Sequence, residues 1–193
     1  MNNEKNLTVK EVFKLAVKNH QEGKTDIAQD LYNQILEIDP NHSQAHNNLG
    51  AIFQRLGEDQ KAKEFFEKAI KINPNYVDAY YNIGIIFKDL GEDQKAKEFF
   101  EKAIEINPNY ADAHNNLGNI FKELGEYQKA IDCYEKAIKI NPGYADAHNN
   151  LGAIFIQLKE NQKAKECIEK TIEINPNHSD AHNNLGVIFQ GLS

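Results

Sequence analysis

Histidine is the residue type in this chain with the widest chemical use, since imidazole binds metal ions and carries protons near neutral pH. Four histidines share one register, with spacings of 34 residues or twice that number: His46, His114, His148 and His182. If the register reflects stacked helices, equivalent residues lie about 8–10 Å apart, whereas two ligands of one metal ion lie much closer. We therefore expect these histidines to pack at the edge of a core, where burial would lower their pKa.

The two cysteines, Cys133 and Cys167, also lie 34 residues apart and occupy the register of Phe65 and Phe99. Equivalent positions in stacked helices exceed the roughly 7 Å Cα separation that a disulfide allows. The thiols are therefore expected to be reduced, which favours a cytoplasmic location. The sequence contains no glycine-rich phosphate loop, metal-binding helix pair or nucleophile elbow. We predict a protein that is not an enzyme and that uses no metal and no cofactor.

Carboxamides form the third chemical group, because one asparagine side chain offers two hydrogen-bond donors and one acceptor oxygen. Asparagines fill two adjacent columns at the same 34-residue step. The first column holds Asn47, Asn115, Asn149 and Asn183, with Tyr81 in one place; the second holds Asn48, Asn82, Asn116, Asn150 and Asn184. Asparagine is a mediocre helix former, so helix propensity does not account for the columns. They either contact the main chain of a bound peptide or hold neighbouring repeats together.

Proline follows the same period, which indicates the elements that position these side chains. The chain has Pro40, Pro74, Pro108, Pro142 and Pro176. A fixed period of this length is typical of a repeat protein. We divide the chain into a polar lead-in, 1–8, and a solenoid, 9–193. The solenoid has five full repeats and one partial repeat: 9–42, 43–76, 77–110, 111–144, 145–178 and 179–193.

Each repeat is predicted to form two helices. In repeat 77–110, apolar residues recur at three- and four-residue spacing in two segments separated by Gly91, and Asn107-Pro108 ends the second. The short connection requires the two helices, called helix A and helix B, to be antiparallel. We number the positions of each repeat from 1. Side chains at the start of helix B are expected to cap it: Asp93 in this repeat, and Thr25, Asp59 and Asn161 in the equivalent places. The predicted fold class is all-α.

This pattern resembles the tetratricopeptide repeat, or TPR, over residues 9–193. The family motif of large and small residues is represented in the third repeat by Tyr80, Ile83, Gly84, Phe87, Ala96, Phe100, Ala103 and Pro108. The resemblance implies a right-handed superhelical solenoid whose A helices line a concave groove. The asparagine columns are also similar to the asparagine ladder in the TPR region of O-linked N-acetylglucosamine transferases. Those repeats carry a similar Ala-His-Asn-Asn-Leu run, which occurs here at 45–49, 113–117, 147–151 and 181–185.

A helical wheel predicts which side chains would face such a groove. At about 100° per residue, positions 2, 5, 6, 9, 12 and 13 of helix A point away from the core. Both asparagine columns, at positions 5 and 6, fall in this set, and position 9 adds Ile85 and Asn119. The wheel therefore predicts a peptide-binding surface made of these residues and Tyr81.

Composition narrows the class of partner. The chain has 29 acidic and 22 basic residues, a net charge of −7, which disfavours a nucleic-acid partner. No apolar run approaches the roughly 20 residues of a membrane span, so no membrane partner is expected. We predict a protein-interaction scaffold that binds an extended peptide or a partner helix. The alternatives are a substrate-recruiting arm of a larger enzyme, such as a glycosyltransferase, and self-association through residues 179–192, which follow the pattern of a helix A with no helix B after it.

Overall fold

The computed structural model describes residues 7–190, which form eleven α-helices and no strand. The all-α prediction is confirmed. Residues 1–6 of the predicted lead-in and 191–193 of the partial repeat lie outside the described residues. The helices are α1 (Val9–Gln21), α2 (Thr25–Ile38), α3 (Ser43–Arg55), α4 (Asp59–Ile72), α5 (Val77–Asp89), α6 (Asp93–Ile106), α7 (Ala111–Glu123), α8 (Tyr127–Ile140), α9 (Ala145–Gln157), α10 (Asn161–Ile174) and α11 (Ser179–Gln190).

A left-handed residue makes each turn between helix A and helix B. Gly57 and Gly125 both have φ of 75°, a backbone conformation in which a side chain costs about 1 kcal/mol or more. Lys159 takes this place before α10 and has φ of 61°. The left-handed residue reverses the chain within a few residues, so that α9 and α10 pack as neighbours.

The expected side-chain caps of helix B are wrong. Thr25, Asp59, Asp93 and Asn161 are the first residues inside α2, α4, α6 and α10. In α2, α4 and α10 the capping positions belong to Lys24, Glu58 and Glu160, and none of the three makes a side-chain capping hydrogen bond. The reason is that the left-handed turn residue is followed by a single capping residue, so the helix begins one position earlier than the capping pattern requires.

The chain divides after Phe99 into two compact units, represented here by residues 7–99 and 100–190. In the first unit, Phe66 of α4 lies against Gly50 of α3, where an added Cβ would come within 2.6 Å of the ring. In the second unit, Tyr134 of α8 lies against Gly118 of α7 at the same 2.6 Å. Both rings are fully buried. Small residues on helix A thus receive large residues of helix B, and this close approach fixes how helix A is rotated about its axis.

Candidate functional site

Side chains at position 5 of helix A are buried in three repeats. Asn47, Asn115 and Asn149 are 6%, 6% and 7% exposed. The helical-wheel prediction that these asparagines point away from the core is therefore wrong. A wheel considers one helix at a time, whereas α5 packs beside α3, α9 beside α7 and α11 beside α9. The next helix A covers the position, so position 5 is exposed only at Asn183 of α11, after which no further helix A stands in residues 7–190.

The two asparagine columns are hydrogen-bonded to each other across successive repeats. In the first unit, Nδ2 of Asn82 donates to Oδ1 of Asn47 at 3.5 Å. In the second unit, Asn150 donates to Asn115 at 3.1 Å, and Asn184 donates to Asn149 at 2.9 Å. Each bond joins position 6 of one repeat to position 5 of the repeat before it. One role of the columns, which the sequence left open, is thus to hold neighbouring A helices together.

Position 6 lies at the boundary between the interior and solvent. Asn48, Asn82, Asn150 and Asn184 are partly exposed, and Asn116 is 9% exposed. In the part of the chain that the structure describes, no protein group donates to Oδ1 of Asn82, Asn150 or Asn184. Because Nδ2 of each is held by the preceding repeat, the amide orientation is fixed and the oxygen is the unused acceptor.

The remaining members of the second column, Asn48 and Asn116, donate to groups outside the asparagine columns. Asn48 donates to the hydroxyl oxygen of Tyr32 at 3.0 Å, and Asn116 donates to the main-chain oxygen of Asp112 at 3.1 Å. The Tyr134 hydroxyl donates to Oδ1 of Asn119 at 2.7 Å, so that this predicted groove oxygen already has a donor. Asn48 is thus also bonded to the preceding repeat, through Tyr32, and the oxygen of Asn119 is occupied by the Tyr134 hydroxyl.

Two larger side chains accompany the asparagines of the first unit. Tyr81 and Ile85 lie on α5 with Asn82, and both are partly exposed. They occupy positions 5 and 9 of the helix face that carries Asn82 at position 6. This part of the surface can therefore offer apolar contact beside an amide acceptor.

The position-4 histidines fasten helix A to the loop before it. Their Nε2–H groups donate to the carbonyl oxygen of the proline six residues earlier, at 2.9 Å for His46, 3.0 Å for His114, 3.1 Å for His148 and 2.8 Å for His182. This contact fixes Nε2 as a protonated nitrogen. Burial lowers the pKa of His46 and His114, as expected from the sequence. The histidine-to-proline bond itself was missed, although its constant six-residue spacing was visible.

Both cysteines are free thiols. Cys133 is buried and Cys167 is partly exposed. Burial raises the pKa of each thiol to about 11. At neutral pH the thiolate, which is the nucleophilic form, is therefore scarce at both positions.

Comparison with known proteins places this geometry in a family. The tetratricopeptide repeat model matches residues 43–76, 77–110, 111–144 and 145–178. The solved structure of MamA is 29% identical with a TM-score of 0.71 and covers 85% of this chain and 96% of its own. YrrB, described as a TPR protein with an unusual peptide-binding site, is 24% identical with a TM-score of 0.69 and covers 91% of each chain.

A third similar structure belongs to a larger assembly. The APC/C hetero-tetramer Cut9–Hcn1 is 19% identical with a TM-score of 0.84, and the match covers 94% of this chain but 36% of that one. At this identity the likeness concerns the fold alone. No curated protein sequence matches the chain significantly. Within residues 7–190, no helix has both the length and the apolar character needed to cross a membrane.

Proposed function

Because the chain belongs to the tetratricopeptide repeat family, we propose that it is a protein-interaction scaffold whose A helices bind an extended peptide. The proposed contact residues are the position-6 asparagines, the exposed Asn183, and the neighbouring Tyr81, Ile85 and Asn119. The buried Asn47, Asn115 and Asn149 orient the contact residues without touching the ligand. The proposal keeps the division into repeats 9–42 through 145–178, with a partial repeat at 179–193.

The observation that carries this proposal is the side-chain oxygen of Asn82, Asn150 and Asn184, to which no group of residues 7–190 donates. Asn150 and Asn184, on successive A helices, both donate through Nδ2 to the previous repeat, which leaves Oδ1 to accept from a ligand N–H. Packed helices lie about 8–10 Å apart, and an extended peptide advances about 3.3 Å per residue. One asparagine therefore meets roughly every third ligand residue. Such a surface binds main chain and distinguishes sequences weakly.

We also propose a likeness to the TPR region of O-linked N-acetylglucosamine transferases. That likeness rests on the Ala-His-Asn-Asn-Leu run and on the amide columns. It also sustains the second candidate function, a substrate-recruiting arm of a larger enzyme. A reading frame that joins this chain to a catalytic domain would distinguish the arm from a free adaptor.

A peptide selected from a random displayed library on the folded protein tests the main proposal. The triple variant Asn82→Ala, Asn150→Ala, Asn184→Ala should lose at least about tenfold in affinity, since each lost acceptor is worth about 0.5–1.5 kcal/mol. Methylation of the ligand's main-chain nitrogens should weaken binding to the wild type in the same way, because it removes the N–H donors.

A matched control comes from exposed carboxamides on the B helices. Gln94, Gln128 and Gln162 each donate to an acid four residues later on the same helix. Replacing all three by alanine removes the same number of carboxamides away from the A helices and should leave affinity unchanged. Equal affinity of the wild type and the folded asparagine variant would rule out the amide acceptors as the binding surface.

Self-association is favoured by a separate observation on α11. Phe189 is 54% exposed, whereas its equivalents Phe53 and Phe155 are 7% and 8% exposed. Among residues 7–190, no atom lies within 4 Å of a Cβ added at Gly186, unlike at Gly118. This apolar face has the shape that a helix B covers in the earlier repeats. Light scattering should show a mass that rises with concentration if a second copy covers it, and a constant monomer mass would exclude this alternative.

A further inference from the structure

Two equivalent clefts, one in each unit, lie between the proline loop and the C-terminal part of a B helix. The first has a volume of about 650 Å³ and is lined by Pro40, Asn41, His46, Lys68, Lys71 and Ile72. The second has a volume of about 420 Å³, and its lining includes Pro108, Asn109, His114, Lys136, Lys139 and Ile140. Every one of these six residues lies 68 positions after its counterpart, so the same cleft is built twice.

The lysines of these clefts have no acidic partner. Among residues 7–190, none of the four forms an ion pair. Position 29 alternates along the chain, with Lys71 and Lys139 in these two repeats and Glu37, Glu105 and Glu173 in the other three full repeats.

The alternation decides between two explanations for the lysines. Where glutamate at position 29 follows a lysine at position 26, the two pair: Lys102 with Glu105 at 2.8 Å, and Lys170 with Glu173 at 2.9 Å. A lysine near a helix C-terminus is favoured by the helix dipole, but this effect acts equally in all five B helices. It does not explain why only two of them carry a second lysine, in a chain of net charge −7.

The inner wall of each cleft is a buried, neutral histidine. Nε2 of His46 donates to the Pro40 carbonyl, and its Nδ1 is buried with no hydrogen-bond partner. Lys68 is close enough to help burial lower the pKa of His46, and Lys136 acts in the same way on His114. The pKa of the histidine therefore responds to charge in the cleft.

The other charged groups that the structure describes near the first cleft do not form ion pairs with its lysines, although the ammonium group of Lys68 lies over the Phe65 ring, 5.0 Å from its centroid. Asp39 acts on His46 in the opposite direction to Lys68, and His42 acts in the same direction as Lys68. Glu64 and Glu67 share a smaller cleft of about 270 Å³ with Lys68 and Lys71, but Glu67 lies 4.0 Å from Lys63 instead. Because these acids repel an anion, the expected affinity of the cleft for an anion is modest, but the acids do not occupy the site.

We propose that each cleft binds an oxyanion, a carboxylate or phosphate group, between its two lysine ammonium groups. The ammonium groups supply charge-assisted donors, which are the strong hydrogen bonds for such anions. Pro40 and Ile72 in the first cleft, and their counterparts in the second, offer apolar contact to the carbon part of the ligand. This site is separate from the asparagine columns and does not depend on peptide binding there.

Histidine NMR titration of the whole chain tests the site with two probes, inorganic phosphate and an acetylated, amidated tetraglutamate peptide. A bound anion should raise the pKa of His46 and His114 by about one unit, saturably, because negative charge stabilises the imidazolium. A response to phosphate alone assigns the site to phosphate-bearing ligands, and a response to the peptide alone assigns it to acidic protein segments.

The double variant Lys71→Glu, Lys139→Glu provides the decisive comparison. It gives both clefts the pairing found at Glu105 and Glu173, so the fold already accommodates it. The variant should lose the saturable response. The control Lys18→Glu, Lys165→Glu changes charge equally at exposed ion pairs outside both clefts and should retain it. No response of the wild type to either probe at millimolar concentrations, or an equal response in the double variant, would overturn the proposal.

Discussion

Nδ2 of Asn150 donates to Oδ1 of Asn115, a residue 35 positions earlier, at 3.1 Å. Asn115 is 6% exposed, so its oxygen has little access to water. The bond therefore satisfies a buried acceptor and joins two successive A helices at once. A side chain selected to bind a ligand would not need a buried partner, which shows that the first column has a structural role of its own.

Asn115→Ala should lower the free energy of unfolding by about 1–2 kcal/mol, because it leaves a gap and removes the partner of Asn150. Urea denaturation followed by circular dichroism would measure it. Asn183→Ala is the matched control, since Asn183 has the same position in its repeat but is exposed. The control should change stability by less than about 0.5 kcal/mol. Equal effects of the two substitutions would contradict the inter-repeat role.

The fold could be predicted from the sequence because it depends on a period. Prolines and small residues at a constant step fix helix ends and close contacts, as at Gly118 and Tyr134, without knowledge of the tertiary structure. The burial of Asn47 could not be predicted from a helical wheel, because the wheel does not include the neighbouring helix that covers this side chain. The His46 bond to Pro40 is likewise a contact across a loop, which the periodicity of a single helix does not reveal.

The clefts show a different limit of sequence reasoning. Lys71 and Glu105 are both charged residues at position 29 of their repeats. Their difference becomes informative only when the structure shows that Lys71 shares a cleft with His46, while Glu105 is paired with Lys102. Spacing identified the repeats, but the differences between repeats carry the evidence for specific binding.

Gly118→Ala should destabilise the protein by about 1–3 kcal/mol through overpacking. The new Cβ would lie 2.6 Å from the ring of Tyr134, and the fully buried ring has no room to withdraw. Gly186→Ala is the control at the same position of α11, where no atom of residues 7–190 lies within 4 Å of the added Cβ. It should stabilise by up to about 1 kcal/mol, because alanine favours the helix more than glycine does. Thermal or urea denaturation would check both, and destabilisation by both would contradict the packing argument.

Stability should decrease as pH falls from about 7.5 to 5.5. Burial lowers the pKa of His46 and His114, so the unfolded chain binds more protons than the folded chain once pH drops below the unfolded value of about 6.5. The loss begins there and is complete below the folded pKa. The lowered pKa of Glu11 and Glu22 acts in a more acidic range, below about pH 4.5.

The double variant His46→Tyr, His114→Tyr separates this cause from others. Tyrosine occurs naturally at the equivalent Tyr80 and does not gain a proton in this range. The free energy of unfolding of the double variant should therefore depend less on pH than that of the wild type. A residual slope is expected from His20, whose pKa burial also lowers. A wild-type slope equal to that of the double variant would exclude His46 and His114 as the source.

The cysteines should resist alkylation in the folded protein. Burial raises the pKa of Cys133 and Cys167 to about 11, which at pH 8 reduces the thiolate fraction roughly 100-fold relative to an unperturbed thiol. Iodoacetamide modification followed by mass spectrometry should be slower by at least that factor in the folded protein than in urea. The single variants Cys133→Ala and Cys167→Ala assign each rate. Cys133 should be the slower of the two, because its side chain is buried while that of Cys167 is partly exposed. Fast modification of either thiol without unfolding would show that its surroundings are open to water and that burial does not suppress its reactivity.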